Sequence, residues 1–161
     1  MSPSDNQKRI AAAVALATTI AIPAEGLRQK AYSDTGGVLT ICYGHTGKNV
    51  QVSSHYSISQ CKQFLDEDMR NAVQIVENCT INAPIIVLAA FGDITYNEGP
   101  TAACDTKHST AARYLKAGKF KEACQELPKW NKAKVAGVLV PLPGLTKRRN
   151  AEVELCMKGL S

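Results

Sequence analysis

The sequence predicts an α+β fold in which a small antiparallel sheet and a mainly helical lobe flank a cleft. Three observations support this fold class: a helical amino-terminal segment, a turn-rich stretch with one β-rich run, and a long remainder with apolar residues at three- and four-residue spacing. The 161 residues, 45% hydrophobic and 20% charged, fit one compact domain and exclude disordered, collagenous and polytopic membrane classes.

The amino-terminal segment looks like a signal sequence. Its polar start ends in Lys8 and Arg9, and the next 15 residues, 10–24, carry no charge. As a helix these residues would span about 22 Å, short of the roughly 30 Å hydrocarbon core of a bilayer. Seven of them are alanine, so the segment is a weak anchor.

No good cleavage site follows this segment. A cut after Ala24 places Ile22 three residues before the cut, and a cut after Ala17 leaves too short an apolar core. The sequence therefore predicts an uncleaved signal anchor over residues 1–24 and an exported domain over residues 25–161. The alternative is an ordinary buried first helix of a cytosolic domain.

The next elements follow from local signals. Residues 34–37 read Asp-Thr-Gly-Gly and indicate a turn, and residues 38–43 form a β-rich strand of a small antiparallel sheet. Beyond Ser57, apolar residues at helical spacing predict a long connecting helix, capped by Ser57 or Ser59.

The helical lobe is predicted from proline and glycine punctuation together with helical spacing. Pro84 starts a helix that Gly99-Pro100 stops. Pro141 and Pro143 exclude a regular helix from the loop-like residues 135–144. The predicted helices of this lobe are residues 85–96, 109–116, 120–127 and 145–157.

The cysteines and the net charge indicate the cellular compartment of the protein and the kind of partner it binds. An even number of cysteines without a C-x-x-C pair favours a disulfide set in an oxidising compartment over a structural zinc site, although six separate buried thiols are the alternative. They are Cys42, Cys61, Cys79, Cys104, Cys124 and Cys156. The net charge of +5 favours an anionic partner such as cell wall, membrane or nucleic acid.

One run carries the candidate chemistry. Within EGLRQKAYSDTGGVLT, eight residues separate Glu25 from Asp34 and five separate Asp34 from Thr40. Two carboxyl groups suit a glycosidase, in which one acid protonates the leaving oxygen and the other remains ionised. Glu25 follows an apolar segment and is expected to be desolvated and to keep its proton, whereas Asp34 in a Gly-rich turn stays solvated.

The run as a whole resembles the start of the phage T4-type lysozymes, the endolysins of tailed phages. Their signature is Glu, eight residues, Asp or Cys, five residues, Thr. The later segments YNEG at residues 96–99, Trp130, and LPGLTKRRNAE at residues 142–152 are similar to further family motifs. The resemblance covers nearly all of residues 25–157 and implies a lysozyme-like fold with the active site in the cleft.

The resemblance implies a role for each signature residue. Glu25 would be the general acid, Asp34 would activate the attacking water, and Thr40 would position that water. The implied reaction is inverting hydrolysis of the β-1,4 bond between N-acetylmuramic acid and N-acetylglucosamine in peptidoglycan, with host cell lysis as the outcome. No metal or organic cofactor is required.

The resemblance also implies supporting residues around this site. His45 would be structural and paired with Asp68, with a catalytic base as the alternative. Arg148 or Arg149 would form a buried ion pair with Glu25, or both would be solvated. Three residues are expected to bind substrate at the cleft, namely Gly44, Tyr96 and Asn97, with a packing role as the alternative for Tyr96 and Asn97. Trp130 is expected to pack in the core, with a platform for a sugar ring as the alternative.

The weak anchor and the six cysteines look like the signal-arrest-release (SAR) subclass of these endolysins. This implies export by the host Sec machinery, an inactive form tethered in the inner membrane through residues 10–24, and a released, active form in the periplasm. The implied disulfides are Cys42–Cys61, Cys79–Cys104 and Cys124–Cys156.

The sequence also allows two alternative functions. A lytic transglycosylase cuts the same bond without water, but it usually needs a single acid, and both Asp34 and Thr40 are present. A basic wall-binding or membrane-disrupting protein would lyse cells without chemistry. The leading interpretation is a monomeric muramidase whose partner is peptidoglycan and not nucleic acid.

Overall fold

The computed structural model describes residues 1–34, 36–51 and 55–160, and within these ranges it has an α+β architecture. The helices are α1 (Pro3–Glu25), α2 (Ile58–Cys79), α3 (Ile85–Glu98), α4 (Thr101–Cys104), α5 (Thr110–Lys116), α6 (Phe120–Glu126) and α7 (Pro143–Met157). The strands are β1 (Arg28–Ser33), β2 (Leu39–Cys42), β3 (His45–Thr46), β4 (Lys132–Val135) and β5 (Val138–Pro141). The predicted fold class is confirmed.

The small lobe is an antiparallel sheet in the order β1-β2-β3. The helix α2 leads from this lobe into the helical lobe, and Ser57 caps it. The Ser57 hydroxyl accepts the Gln60 N–H while the Gln60 side chain accepts the Ser57 N–H, which satisfies two donors that a helix start leaves unpaired. Of the two predicted caps, Ser57 is therefore the one used.

The centre of the core is α3, in which every residue from Val87 to Thr95 is buried. Helix α1 packs against α3 and α2 through a stripe at helical spacing, as an amphipathic helix should. The stripe consists of Ile10, Ala13, Val14, Ala17, Ile20 and Ala21. Residues 10–24 are thus part of a core helix in this structure. Among the described residues, none of the helices combines the length and apolar content needed to cross a bilayer.

The structure corrects the sequence prediction for residues 132–145. The predicted loop is mostly a hairpin, β4–β5, because Ala136 (φ +50°) and Gly137 (φ +81°) adopt the left-handed conformation that closes a two-residue hairpin turn. Helix α7 begins at Pro143, two residues earlier than predicted, since proline suits the first turn of a helix.

Three disulfides join the elements within the described residues. The bond Cys42–Cys61 ties β2 to α2, Cys79–Cys104 ties the end of α2 to α4, and Cys124–Cys156 ties α6 to α7. These are the three pairings that the resemblance implied. Each cross-link between distant elements restricts the unfolded chain and stabilises the fold.

Candidate active site

Glu25 is the last residue of α1. The helix stops there because Gly26 takes a left-handed φ of +69° and its N–H donates to the carbonyl of Ile22. The Glu25 side chain is 23% exposed, and its Oε1 accepts a hydrogen bond from Arg148 Nη1 at 2.5 Å. Of the two candidate arginines, Arg148 is thus the partner of Glu25. The predicted desolvation is partial, and the proton on Glu25 stays a prediction.

Gly44 lies between Glu25 and Tyr96, in the turn that joins β2 to β3. Its φ is +83°, and a Cβ placed there would lie 3.3 Å from Glu25 Oε2 and 3.8 Å from Tyr96 Oη. The Tyr96 hydroxyl donates to the carbonyl of Tyr43. Burial, followed by the charge of Glu25, raises the pKa of Tyr96, so its hydroxyl remains a donor. A glycine at position 44 thus allows the sheet to approach Glu25 closely.

A groove of about 370 Å³ opens beside Gly44 and Tyr96, between the sheet and the helices α2 and α3. It matches the cleft expected between the lobes. Its polar and turn residues offer hydrogen-bonding groups of the kind that bind sugars. They include Gly44, Thr46, Asp68, Asn71, Tyr96 and Gly99.

Asp34 and Thr40 belong to the β1–β2 hairpin. Asp34 is exposed, and its Oδ1 accepts the N–H groups of Gly36 and Val38 at 2.9 and 2.8 Å. Its Oδ2 has no hydrogen-bond partner among the described residues, which leaves this oxygen able to accept from water. Thr40 is 4% exposed, and its hydroxyl donates to the Val38 carbonyl at 3.0 Å. Thr35, in the predicted turn, lies outside the described residues.

His45 uses both ring nitrogens in the structure. Its Nδ1 lies 2.6 Å from Asp68 Oδ2 on α2, and its Nε2 lies 3.1 Å from Asn49 Oδ1. The ring stacks on Phe64, with centroids 4.3 Å apart. These contacts fix the imidazole between the sheet and α2, as expected for a structural residue paired with Asp68.

Arg148 is held from behind by Asp93, a fully buried residue of α3. The guanidinium donates through Nε and Nη2 to the two carboxylate oxygens of Asp93, each at 2.8 Å. Burial favours the neutral guanidine, but the hydrogen bond and charge of Asp93 and the charge of Glu25 outweigh it and raise the pKa of Arg148. Because such a paired fork is directional, Asp93 orients Arg148 toward Glu25.

Glu152 lies about one turn after Arg148 on α7 and is fully buried. Its Oε1 accepts from Arg149 at 2.7 Å, while its Oε2 faces no donor among the described residues. Burial is the main cause that raises the pKa of Glu152, with the Asp93 contact second. The raised pKa favours the uncharged, protonated form of Glu152.

Arg149 completes a continuous polar network behind Glu25. It is fully buried and donates to Glu98, to Asn97 Oδ1 at 2.8 Å and to the carbonyl of Trp130. The substrate-binding role of Asn97 stays a prediction, since this oxygen already accepts from Arg149. Trp130 is partly buried and packs against the core.

Sequence reasoning missed Asp93 and Glu152. Asp93 could have been recognised as the single acid within the mostly apolar run IIVLAAFGDIT of α3. An acid buried in such a helix must be paired, because an unpaired buried charge is too costly. Among the described residues, no group of three His, Cys, Asp or Glu side chains is arranged to hold a metal ion.

Comparisons with known proteins agree with this architecture. Residues 23–152 match the family described as phage lysozyme. The SAR-endolysin of Bacteriophage PS119 is 36% identical over 84% of this chain and 77% of its own length. The SAR-endolysin of Pseudomonas phage phiKMV is 37% identical over 92% of this chain and 89% of its own. The muramidase domain of SpmX from Asticaccaulis excentricus has a TM-score of 0.77 at 26% identity, covering 91% and 95% of the two chains.

A groove between a small sheet and a helical lobe, with a carboxyl–arginine pair at its edge, defines a lysozyme-type glycoside hydrolase. The chain belongs to the phage lysozyme family. It is a peptidoglycan-lysing endolysin, which confirms the predicted activity on peptidoglycan.

Proposed function

We propose that this chain cuts the β-1,4 bond between N-acetylmuramic acid and N-acetylglucosamine with inversion, using Glu25 as general acid, Asp34 as general base and Thr40 to position water. The observation that carries the proposal is the anchoring of Glu25. It ends a core helix, its Oε1 is bound to a buried arginine, and its Oε2 lies against the turn at Gly44 beside the groove. A fixed carboxyl at a sugar-sized groove is what acid catalysis requires.

The reaction divides its proton transfers between the two carboxyl groups. Glu25 donates its proton to the glycosidic oxygen as the bond from that oxygen to the anomeric carbon breaks. Water attacks the anomeric carbon from the opposite face, and Asp34 takes the proton that the water loses. Asp34 Oδ2 suits this role because Oδ1 is bound to backbone N–H groups. An inverting enzyme needs about 6.5–9.5 Å between the carboxyl groups for this water.

The surrounding residues bind and align the glycan. Gly44 and Tyr96 lie at the groove beside Glu25, and Asn97 follows Tyr96 at the end of α3. A bound sugar would exclude water from the Glu25 side chain, which is 23% exposed in the free protein. Water exclusion favours the uncharged acid that must donate the proton.

The anomeric configuration of the first product tests this mechanism. We expect the newly formed reducing end to appear as the α anomer, the inverse of the β bond, when digestion of purified peptidoglycan is followed at early times by NMR. A β anomer would contradict the base role of Asp34 and favour a covalent intermediate. A product lighter by one water would indicate a transglycosylase.

We further propose that residues 10–24 tether the chain in the inner membrane after export by the host Sec machinery, and that release into the periplasm forms α1. Support comes from the SAR-endolysin names of the relatives and from the composition of this segment. Tethering would inhibit the enzyme, because Glu25 takes its place at the groove only as the end of the folded α1. The amino end would stay in the cytoplasm through Lys8 and Arg9.

Thr18 and Thr19 offer a test of this tether. Both lie outside the buried stripe of α1, and their hydroxyls bond locally to the carbonyls of Ala15 and Leu16. Replacing both with leucine is expected to retain the chain in the membrane fraction and delay lysis, because each change makes the segment more apolar. The matched control is replacement of both with serine. A leucine variant as soluble and as lytic as the wild type would refute the tether.

A further inference from the structure

The β4–β5 hairpin projects an apolar tip that the catalytic groove does not use. Its register pairs Lys134 with Leu139 and Val135 with Val138, and the turn between them is Ala136-Gly137. We define residues 135–139 as the hairpin tip. A two-residue turn of this kind keeps the tip narrow and its strands paired.

The hairpin tip exposes large hydrophobic side chains at unusual density. Val135, Val138 and Leu139 are 50%, 62% and 60% exposed. The chain has ten exposed large hydrophobic residues among those described, and three of them lie within these five positions. Isolated exposed residues need no explanation, but a cluster on a protruding element marks an interaction surface.

Cations flank the apolar tip. Lys132 and Lys134 on β4 are exposed, and Lys147 on α7 is exposed near the hairpin's base. From residue 127 to residue 151 the sequence contains no Asp or Glu. Leu139 pairs with Lys134 in the hairpin register, so apolar and cationic groups are adjacent. The surface thus combines aliphatic side chains, which suit the upper acyl chains of a bilayer, with lysines, which suit its phosphate groups.

We propose that the hairpin tip inserts into the interface of an anionic bilayer, with Val135, Val138 and Leu139 among the upper acyl chains and Lys132 and Lys134 at the phosphate groups. The pattern matches what holds peripheral segments at membranes, where apolar burial and attraction to anionic lipid act together.

The same chemistry argues against two other occupants. A second copy of the chain, docked tip to tip, would bring the lysines of both copies together without an acid to compensate them. Peptidoglycan would attract the lysines through the carboxylates of its peptides but would leave the three aliphatic side chains in water. The bilayer satisfies both groups, and contact through this hairpin leaves the groove beside Tyr96 open because the two share no residue.

Vesicle cosedimentation of the full chain tests the proposal. We expect the protein to bind vesicles of phosphatidylglycerol and phosphatidylcholine, to bind vesicles of phosphatidylcholine alone much more weakly, and to lose affinity as salt rises. The variant with Val138→Ser and Leu139→Ser is expected to bind about tenfold more weakly, because two apolar side chains leave the bilayer. A variant with Lys132→Gln and Lys134→Gln should lose the preference for anionic lipid.

The matched control is Ile81→Ser, since Ile81 is 64% exposed but lies in the connection between α2 and α3, outside the hairpin. It should bind vesicles like the wild type, and all variants should hydrolyse purified peptidoglycan at the wild-type rate, which shows that they fold. Equal binding by wild type and the serine pair would place membrane contact elsewhere, for example on α1, and overturn the proposal. So would self-association that depends on the tip, or retention by peptidoglycan that the serine pair abolishes.

Discussion

Replacing Glu25 with glutamine is expected to reduce peptidoglycan hydrolysis by about 10³-fold, because the amide cannot donate a proton to the leaving oxygen. The amide oxygen can still accept the hydrogen bond that Arg148 Nη1 donates. The variant should therefore fold with the groove intact. Release of reducing ends from purified peptidoglycan measures the loss, and thermal denaturation verifies the fold.

The chain offers a closely matched control in Glu98. Its side chain is also 23% exposed and also accepts a hydrogen bond from a buried arginine, in this case Arg149. Glu98→Gln likewise replaces a carboxyl group that is paired with a buried arginine, but Glu98 ends α3 and is not the proposed acid. We expect this variant to keep activity of the wild-type order. Equal losses in both variants would show that the charge of the network matters rather than acid catalysis by Glu25.

The outcome at Asp34 separates the two carboxyl roles. Asp34→Asn keeps the Oδ1 acceptor that binds the N–H groups of Gly36 and Val38, so the turn should remain. A loss comparable to that of Glu25→Gln would support the base role. Full activity of this variant would leave Glu25 as the single essential acid and favour the transglycosylase reaction.

The parts of the site that sequence could predict are those encoded by short contiguous patterns. The interval from Glu25 to Thr40 forms one motif, and Ser57 is recognisable as a cap because Gln60 follows at the required spacing. Hydrophobic periodicity places α2, and the prolines and glycine at residues 84, 99 and 100 bound α3. Local chemistry determines each of these features, and neither a cap nor a periodic face depends on a distant residue.

The unpredicted parts depend on distant residues or on ambiguous local preferences. Asp93 and Arg148 are 55 positions apart, and no local pattern indicates which cation neutralises a buried acid. The β4–β5 hairpin was missed because Ala136 adopts a left-handed φ that alanine rarely takes. Two prolines beside it also favoured a loop. The first case depends on a contact between distant residues, and the second on strand pairing within the hairpin.

The network behind Glu25 has more carboxyl groups than cations. Four carboxyl groups contact the two arginines, Arg148 and Arg149: those of Glu25, Asp93, Glu98 and Glu152. Glu152 is fully buried, and its Oε2 has no donor among the described residues. A proton on Glu152 removes one negative charge and lets Glu152 donate to Asp93. The Asp93 fork can then hold Arg148 without repulsion from a neighbouring carboxylate.

This buried proton makes stability depend on pH. The pKa of Glu152 is raised in the folded state above its ordinary value of 4.5, so the folded chain binds a proton that the unfolded chain releases. The resulting stabilisation is complete below about pH 4 to 5 and is lost as pH rises toward the folded-state pKa. Each pH unit in that window lowers the free energy of unfolding by up to about 1.4 kcal/mol.

Glu152→Gln is expected to remove this dependence. The glutamine amide can donate to Asp93 and accept from Arg149, as the protonated acid does, but it does not titrate. Urea denaturation from pH 5 to pH 8 should show wild type losing stability relative to the variant by about 1 kcal/mol per pH unit. Glu67→Gln serves as the control, because Glu67 is an exposed residue of α2 that lies outside this network. Parallel pH curves for wild type and Glu152→Gln would show that Glu152 is ionised in the folded protein.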